Sequence, residues 1–184
     1  MKTDNIERYL ESFGKYIVKQ ARTNLTKAKK NDTKDLYNSI SFKVTQNAQG
    51  FSVQFFMEDY GTFVDKGVSG TKKQRKFTNY EGKSITSPYR FGTGSAKVGK
   101  SKGGMSGIMA KWVKRKGFKW KDKETGRFMS HKSMGYIIAR SIYSKGIQGI
   151  SFFQRPLQLG MKNFPKEMLR AVKDDIINGL TTVN

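Results

Sequence analysis

The 184-residue chain has no cysteine, one histidine and three prolines. Nowhere does it hold an apolar run long enough to cross a bilayer. Without thiols there is neither a disulfide framework nor a thiolate metal site. His131 is the sole imidazole, which excludes the histidine-rich clusters of many metal and hydrolytic centres. Acids are scarce as well: 14 Asp and Glu face 36 Lys and Arg, a formal net charge of +22. The opening stretch "MKTDNIERYLESFGKYIVKQ" interrupts every apolar segment with acids and amides, so neither a signal peptide nor a membrane partner is expected.

The basic excess is unevenly spread. Residues 1–65 are close to balance at +2, residues 133–184 carry +4, and residues 66–132 hold 19 basic against three acidic side chains. Such a tract is suited to a polyanion or an acidic protein surface. The length and the 36% hydrophobic content fit a single domain over residues 1–184. Residues 66–104, rich in glycine, serine and lysine, are expected to be a long basic loop inserted into it.

Periodicity supplies the rest of the architecture. Ile6, Leu10, Phe13, Ile17, Ala21 and Leu25 recur at helical spacing, predicting a helix over residues 4–30, with Gly14 as a close-packing position. Acids at its start and lysines at its end suit the helix dipole. Ile40, Phe42 and Val44, then Phe51, Val53 and Phe55, alternate with polar residues around "QNAQG", which predicts a hairpin of residues 39–45 with 51–57. A short strand is expected at Ser84–Thr86. Helical spacing returns at residues 105–117 and 133–146, the latter closed by Gly146 in a left-handed cap. "GISFF" reads as a last strand, and Pro156 as the start of a final helix that Pro165 kinks or restarts. The predicted fold class is α+β: a small, mainly antiparallel sheet of three to five strands packed by the N- and C-terminal helices, with the long basic loop. Phe13, Ile17, Leu25, Leu36, Ile40, Phe42, Phe55, Trp112, Ile138, Ile142, Leu169 and Ile176 are the expected core.

Catalytic patterns are incomplete. "GSAKVGKS", residues 94–101, fits the phosphate-loop spacing, with Lys100 and Ser101 in the phosphate and magnesium positions. It lacks the preceding buried strand and the following helix, and no later apolar run ends in an aspartate for the metal. Glu58, Asp59 and Asp65 could in principle form a magnesium-dependent nuclease site, but a further acid or base would have to come from elsewhere. "KKQRKF" and "KWVKRKGFKWKDK" interleave cations with aromatics, as nucleic-acid-binding surfaces do, while lysine's dominance favours backbone attraction over base reading.

Three ordered segments carry a resemblance: "DTKDLYNSI" at residues 32–40, "YGTFVDKG" at 60–67 and "FFQRPL" at 152–157. They are similar to "DTG-L--SI", "YA-YVEFGT" and "PFLRPA" of the tail-completion, or head–tail joining, family of tailed bacteriophages, typified by gene product ten of phage Hong Kong ninety-seven. Lys34 stands in place of the family's glycine, Asp65 and Lys66 in place of Glu–Phe, and Phe152 in place of the first proline. "RFGTG" at residues 90–94 echoes the second segment.

The resemblance implies a structural virion protein without enzymatic activity or cofactor. It implies a homo-oligomeric, sixfold ring at the neck, joining capsid connector to tail proteins, with the basic tract against a neighbour or the packaged DNA. On that reading, Tyr60, Phe63, Asp65, Lys66 and Arg155 are the assembly corner. Lys72, Lys73, Arg75 and Lys76 form one basic interaction cluster, and Lys114, Arg115 and Lys116 a second. The alternatives are a nucleic-acid-binding accessory protein using residues 66–132, or a metal-dependent nuclease.

Overall fold

The structure, a computed structural model, describes residues 3–92 and 104–181. Its fold is α+β, with several helices and small two-stranded sheets, one of them an antiparallel hairpin. The chain divides into two compact units: residues 1–65, 77–85 and 150–184 form the first, and residues 66–76 and 86–149 the second.

The first unit is organised around α1, Asp4–Lys27, which buries Ile6, Leu10, Phe13, Gly14, Ile17, Val18, Ala21 and Leu25. A short helix α2, Asp35–Ser39, leads into strands β1, Ser41–Asn47, and β2, Gly50–Phe56. They pair antiparallel in register from Ser41 with Phe56 to Asn47 with Gly50. The two residues between them make a tighter turn than "QNAQG" suggested, with Asn47 Oδ1 accepting from the Gln49 amide at 3.0 Å. Gly14 is a close-packing position: a Cβ there would lie 2.2 Å from the Phe42 ring.

The final helix, α6, is Gln154–Thr181. Two apolar clusters hold the unit together. Val18, Ala21, Leu25, Leu36, Ile40 and Phe152 form one, with Phe42, Phe55, Val64 and Phe153 around it. Ile6, Leu10 and Ala171 centre the other, flanked by Val44, Phe51, Val53, Phe164 and Met168. The Phe164 ring stands edge-on to Phe13, centroids 5.0 Å apart. Ile17, Leu25, Ile40 and Phe152 are fully enclosed, and truncating any one to alanine costs about 2–5 kcal/mol.

In the second unit the dominant pair is α4, Met105–Lys116, and α5, His131–Lys145. Val113, Met134 and Ala139 are buried, and a Cβ on Gly135 would meet the Ala110 amide at 2.5 Å, so the two backbones approach closely only with glycine there. Gly117 ends α4 at φ 69°, with the Phe118 amide donating to Val113 O at 3.2 Å, a Schellman closure. Ser130 caps α5, its Oγ accepting from Ser133 N at 3.1 Å. Helix α3, Gly61–Lys66, leads from one unit to the other, followed by β3, Val68–Ser69. Strands β4, Lys76–Thr78, and β5, Ser84–Thr86, which belong mostly to the first unit, pair with one another, and in the second unit β6, Gly146–Ile147, runs antiparallel to β3.

Several expectations are corrected. The strands described form three separate pairs rather than one sheet of three to five. "GISFF" is not a strand: Ser151 sits at φ 49° and Phe152 turns into the core just before α6. That helix begins at Gln154 and runs through Pro165, which lies on its exposed side, where solvent can satisfy the carbonyl that proline releases. Gly146 ends α5 at φ 73° and ψ −177°, a positive-φ conformation suited to glycine but outside the left-handed helical region of the expected cap. Phe42, Phe55, Ile138 and Ile142 are half-buried, as is Trp112, which packs against Phe118 at 5.2 Å while Val113 takes the core position. Leu169 and Ile176 are 71% and 45% exposed, because the inward face of α6 is centred on Ala171 and Asp175.

Asp175 adds a polar reason for that face to the apolar packing around Ala171. Thr3, at the start of α1, makes no side-chain cap, and the amides behind it are buried with Ile6. Asp175 supplies the acceptors: Oδ1 takes the Asn5 amide at 3.0 Å and the Asn5 side chain at 2.9 Å, and Oδ2 takes the Ile6 amide at 3.0 Å. Burial pushes this carboxyl up; the Asn5 and Ile6 donors and the nearby Arg8 outweigh it and hold its pKa below the ordinary 3.8. A carboxyl whose pKa falls on folding contributes stability that is present above that ordinary value and lost as pH drops through the folded one. Asp175→Ala is expected to lower stability near neutral pH by about 1–3 kcal/mol, with a smaller deficit in acid. Denaturant titration of both proteins at neutral and acid pH checks both the size and the sign.

Candidate functional site

Three of the sequence segments singled out above meet in the first unit. In "DTKDLYNSI", Lys34 at φ 64° turns the chain into α2, so that Leu36 and Ile40 enter the core. In "YGTFVDKG", residues Gly61–Lys66 are helical. Gly61 opens α3 against Leu36, and a Cβ there would lie 2.8 Å from the Leu36 side chain. In "FFQRPL", Phe152 and Phe153 join the same cluster, with the Phe153 ring edge-on to Phe55 at 5.2 Å.

Asp65 fastens this corner. It is 3% exposed, and its Oδ1 accepts from the Phe153 amide at 2.8 Å and, more weakly, from Gln154 at 3.4 Å, across the amino end of α6. Its backbone carbonyl takes the Ser151 amide at 2.9 Å, and Val64 O takes Ile150 N at 3.2 Å. Ser151 returns a contact, its Oγ accepting from Thr78 N at 3.0 Å. Tyr60 and Phe63 are on the outer side, 42% and 43% exposed. Desolvation, followed by the Asp35 and Glu58 carboxylates, raises the Tyr60 phenol pKa above its ordinary value, against a hydrogen bond at the Leu36 backbone. Arg155 is exposed in the first turn of α6, and Lys66 is half-buried at the end of α3.

Within the second unit, Gly67 at φ 75° is required by close approach, since a Cβ would lie 2.4 Å from Gly149 N. The first basic cluster separates by role. Arg75 is bound inward: Nε donates to Lys145 O at 2.7 Å and Nη1 to Gln148 Oε1 at 3.3 Å, placing the cation at the carbonyl end of α5. Lys72, Lys73 and Lys76 are exposed. Lys114, Arg115 and Lys116 fill the last turn of α4, all exposed, where the helix dipole favours them. The unit as a whole holds 20 Lys and Arg against two acids, Asp122 and Glu124. Asp122 is absorbed by a turn in which Thr125 N and Oγ1 and the Glu124 amide all donate to its Oδ1, and these bonds, Thr125's first, lower its pKa.

Among the described residues no three His, Asp or Glu side chains converge to hold a metal ion. Glu58 and Asp59 are exposed, whereas Asp65 is buried and occupied by amides. The phosphate-loop match at residues 94–101 lies outside the described residues. An open groove of about 580 Å³ runs along α1, lined by Lys15, Lys19, Arg22, Tyr37 and Phe42, but the Arg22 head is engaged by Ile40 O at 2.9 Å. No helix among the described residues is long and apolar enough to cross a membrane.

Sequence reasoning singled out Asp65 but not its cap, and it missed Asp175. An acid inside a helix reads as solvated, and only its distance from a bare helix end reveals the cap. No protein-family model matches this chain, and comparison with curated proteins and with solved structures returned no match.

The capping role of Asp65 predicts that Asp65→Ala lowers stability by about 0.5–2 kcal/mol, read by chemical denaturation. Magnesium is expected to leave the midpoint of either protein unchanged. A magnesium-dependent rise in stability that Asp65→Ala abolishes would instead assign this carboxylate to a cation.

Proposed function

We propose that this chain is a structural virion protein of a tailed bacteriophage, forming a homo-oligomeric ring at the head–tail junction between capsid connector and tail. The observation that carries the reading is the convergence of the three motif segments. Asp65 and Phe153, 88 residues apart in sequence, are joined by a hydrogen bond, and Leu36 of the first segment packs in the cluster that Phe152 fills. Segments that fold on one another form a single structural corner, which is how an ordered set of short motifs acquires meaning as a family signature. Tyr60, Phe63 and Arg155 stand exposed around that corner, on the side that would face a neighbouring subunit.

In this reading the two terminal helices and the hairpin are the ring-forming body, and the basic tract of residues 66–132 faces an acidic neighbour or the DNA that passes through the junction. A closed ring repeats one heterologous contact, and sixfold symmetry is what the family resemblance implies. The outer side of α6 offers material for such a contact: Leu169, Ile176 and Leu180 lie seven and four residues apart and are 71%, 45% and 71% exposed.

Cryo-electron microscopy of tailed particles containing this protein is expected to show its copies encircling the channel between connector and tail. Leu169→Glu combined with Leu180→Glu is expected to leave the monomer folded while abolishing incorporation into particles. Copies located elsewhere in the virion, or their absence from it, would contradict the reading. So would magnesium-dependent DNA cleavage lost in Asp65→Ala.

A further inference from the structure

The connection from α4 to α5 is a short structured hairpin rather than a slack loop. Lys121 and Phe128 form an antiparallel bridge, the Met129 amide donates to Trp120 O at 2.9 Å, and the Asp122 amide donates to Arg127 O at 2.8 Å. The Asp122 carboxylate and Gly126 at φ 67° close the turn. Three large rings are displayed there: Phe118 and Trp120, each 40% exposed, and Phe128, 65% exposed. Lys119, Lys121, Lys123 and Arg127 alternate with them or flank them, all exposed. The Lys121 ammonium lies 5.4 Å from the Phe128 ring centroid, so charge and stacking surface occur at one spot. Over residues 114–132 eight Lys and Arg face two acids, one of them already taken by the turn.

We propose that this hairpin is a binding surface for single-stranded nucleic acid, gripping the phosphates with its lysines and stacking bases on Trp120 and Phe128. The charge imbalance selects a polyanion. The rings then discriminate among polyanions: a strand offers unpaired base faces, whereas a duplex keeps them within its own stack. An acidic protein is a poorer fit, because the centres of protein interfaces are depleted in lysine, and here Lys119, Lys121 and Lys123 are interleaved with the rings in sequence and Lys121 lies over Phe128. The inference concerns the second unit alone and holds or fails independently of the ring proposed above.

The test uses the full chain with three probes: a labelled oligodeoxythymidine, a duplex of equal length, and inorganic polyphosphate as a polyanion without bases. Binding is followed by anisotropy and, for the unlabelled strand, by tryptophan quenching. The strand is expected to bind more tightly than either other probe. Trp120→Leu and Phe128→Leu should each weaken it by about tenfold while leaving the salt dependence unchanged. Lys119→Gln, Lys121→Gln and Lys123→Gln together should flatten the slope of log K against log salt by about two. Phe128→Trp, which keeps a ring in place, should retain affinity and serves as the control for folding. No binding by the strand, or equal binding of strand and polyphosphate that the ring variants do not alter, would overturn the proposal. The second result would leave this surface as a seat for an acidic protein.

Discussion

Two buried carboxylates hold the amino ends of the two long helices of the first unit. Asp175 reaches from α6 to the first turn of α1, and Asp65 reaches from α3 to the amides that open α6. The amides at a helix start have no partner within the helix, and water cannot serve where Ile6 and Phe152 are enclosed. A carboxylate accepts from more than one of them at once and also suits the positive end of the dipole. The rest of the unit depends on this, because α1 contributes to both apolar clusters and cannot do so with a frayed end.

The second unit solves the same end problem with the opposite charge. Its helices are short of acids, and cations sit at carbonyl ends: Arg75 on the last carbonyls of α5, and Lys114 to Lys116 in the last turn of α4. Among the described residues its apolar interior is thin, with Val113, Met134 and Ala139 buried and close backbone approach at Gly135. Much of the remaining surface is lysine. A body so charged is kept apart from other cations and drawn to polyanions, which is the physical ground shared by the neck reading and the proposed grip on nucleic acid.

How much of this was legible in the sequence follows from the strength of each pattern. The α1 stripe recurs over 24 residues, and the structure keeps Asp4 as its start and Lys27 as its end, three residues short of the predicted stop. The hairpin was legible from its alternation and missed by two residues at its outer end, because "DLYNS" forms a helical turn that takes up Ser39. Strands of two residues, as at Val68–Ser69 and Gly146–Ile147, are too short for any period to show. Leu169 and Ile176 were misassigned because apolar residues surround much of α6, and the side that turns inward is the one carrying Asp175 and the cluster around Ala171. Of the candidate residues, Asp65 was visible as one of three neighbouring acids and as part of the assembly corner, but the Phe153 amide it caps lies 88 residues away. Arg75 looked like part of a lysine cluster, since nothing local reveals the carbonyls it reaches.

Native-state hydrogen exchange of the amides of Ile6 and Phe153 tests the dependence on these carboxylates most directly. If they lock the two helices, both amides exchange only on global unfolding, as slowly as the enclosed Ile17 and Leu25. Exchange at Ile6 and Phe153 orders of magnitude faster than at Ile17 would mean that both helix ends fray freely, and would contradict the account.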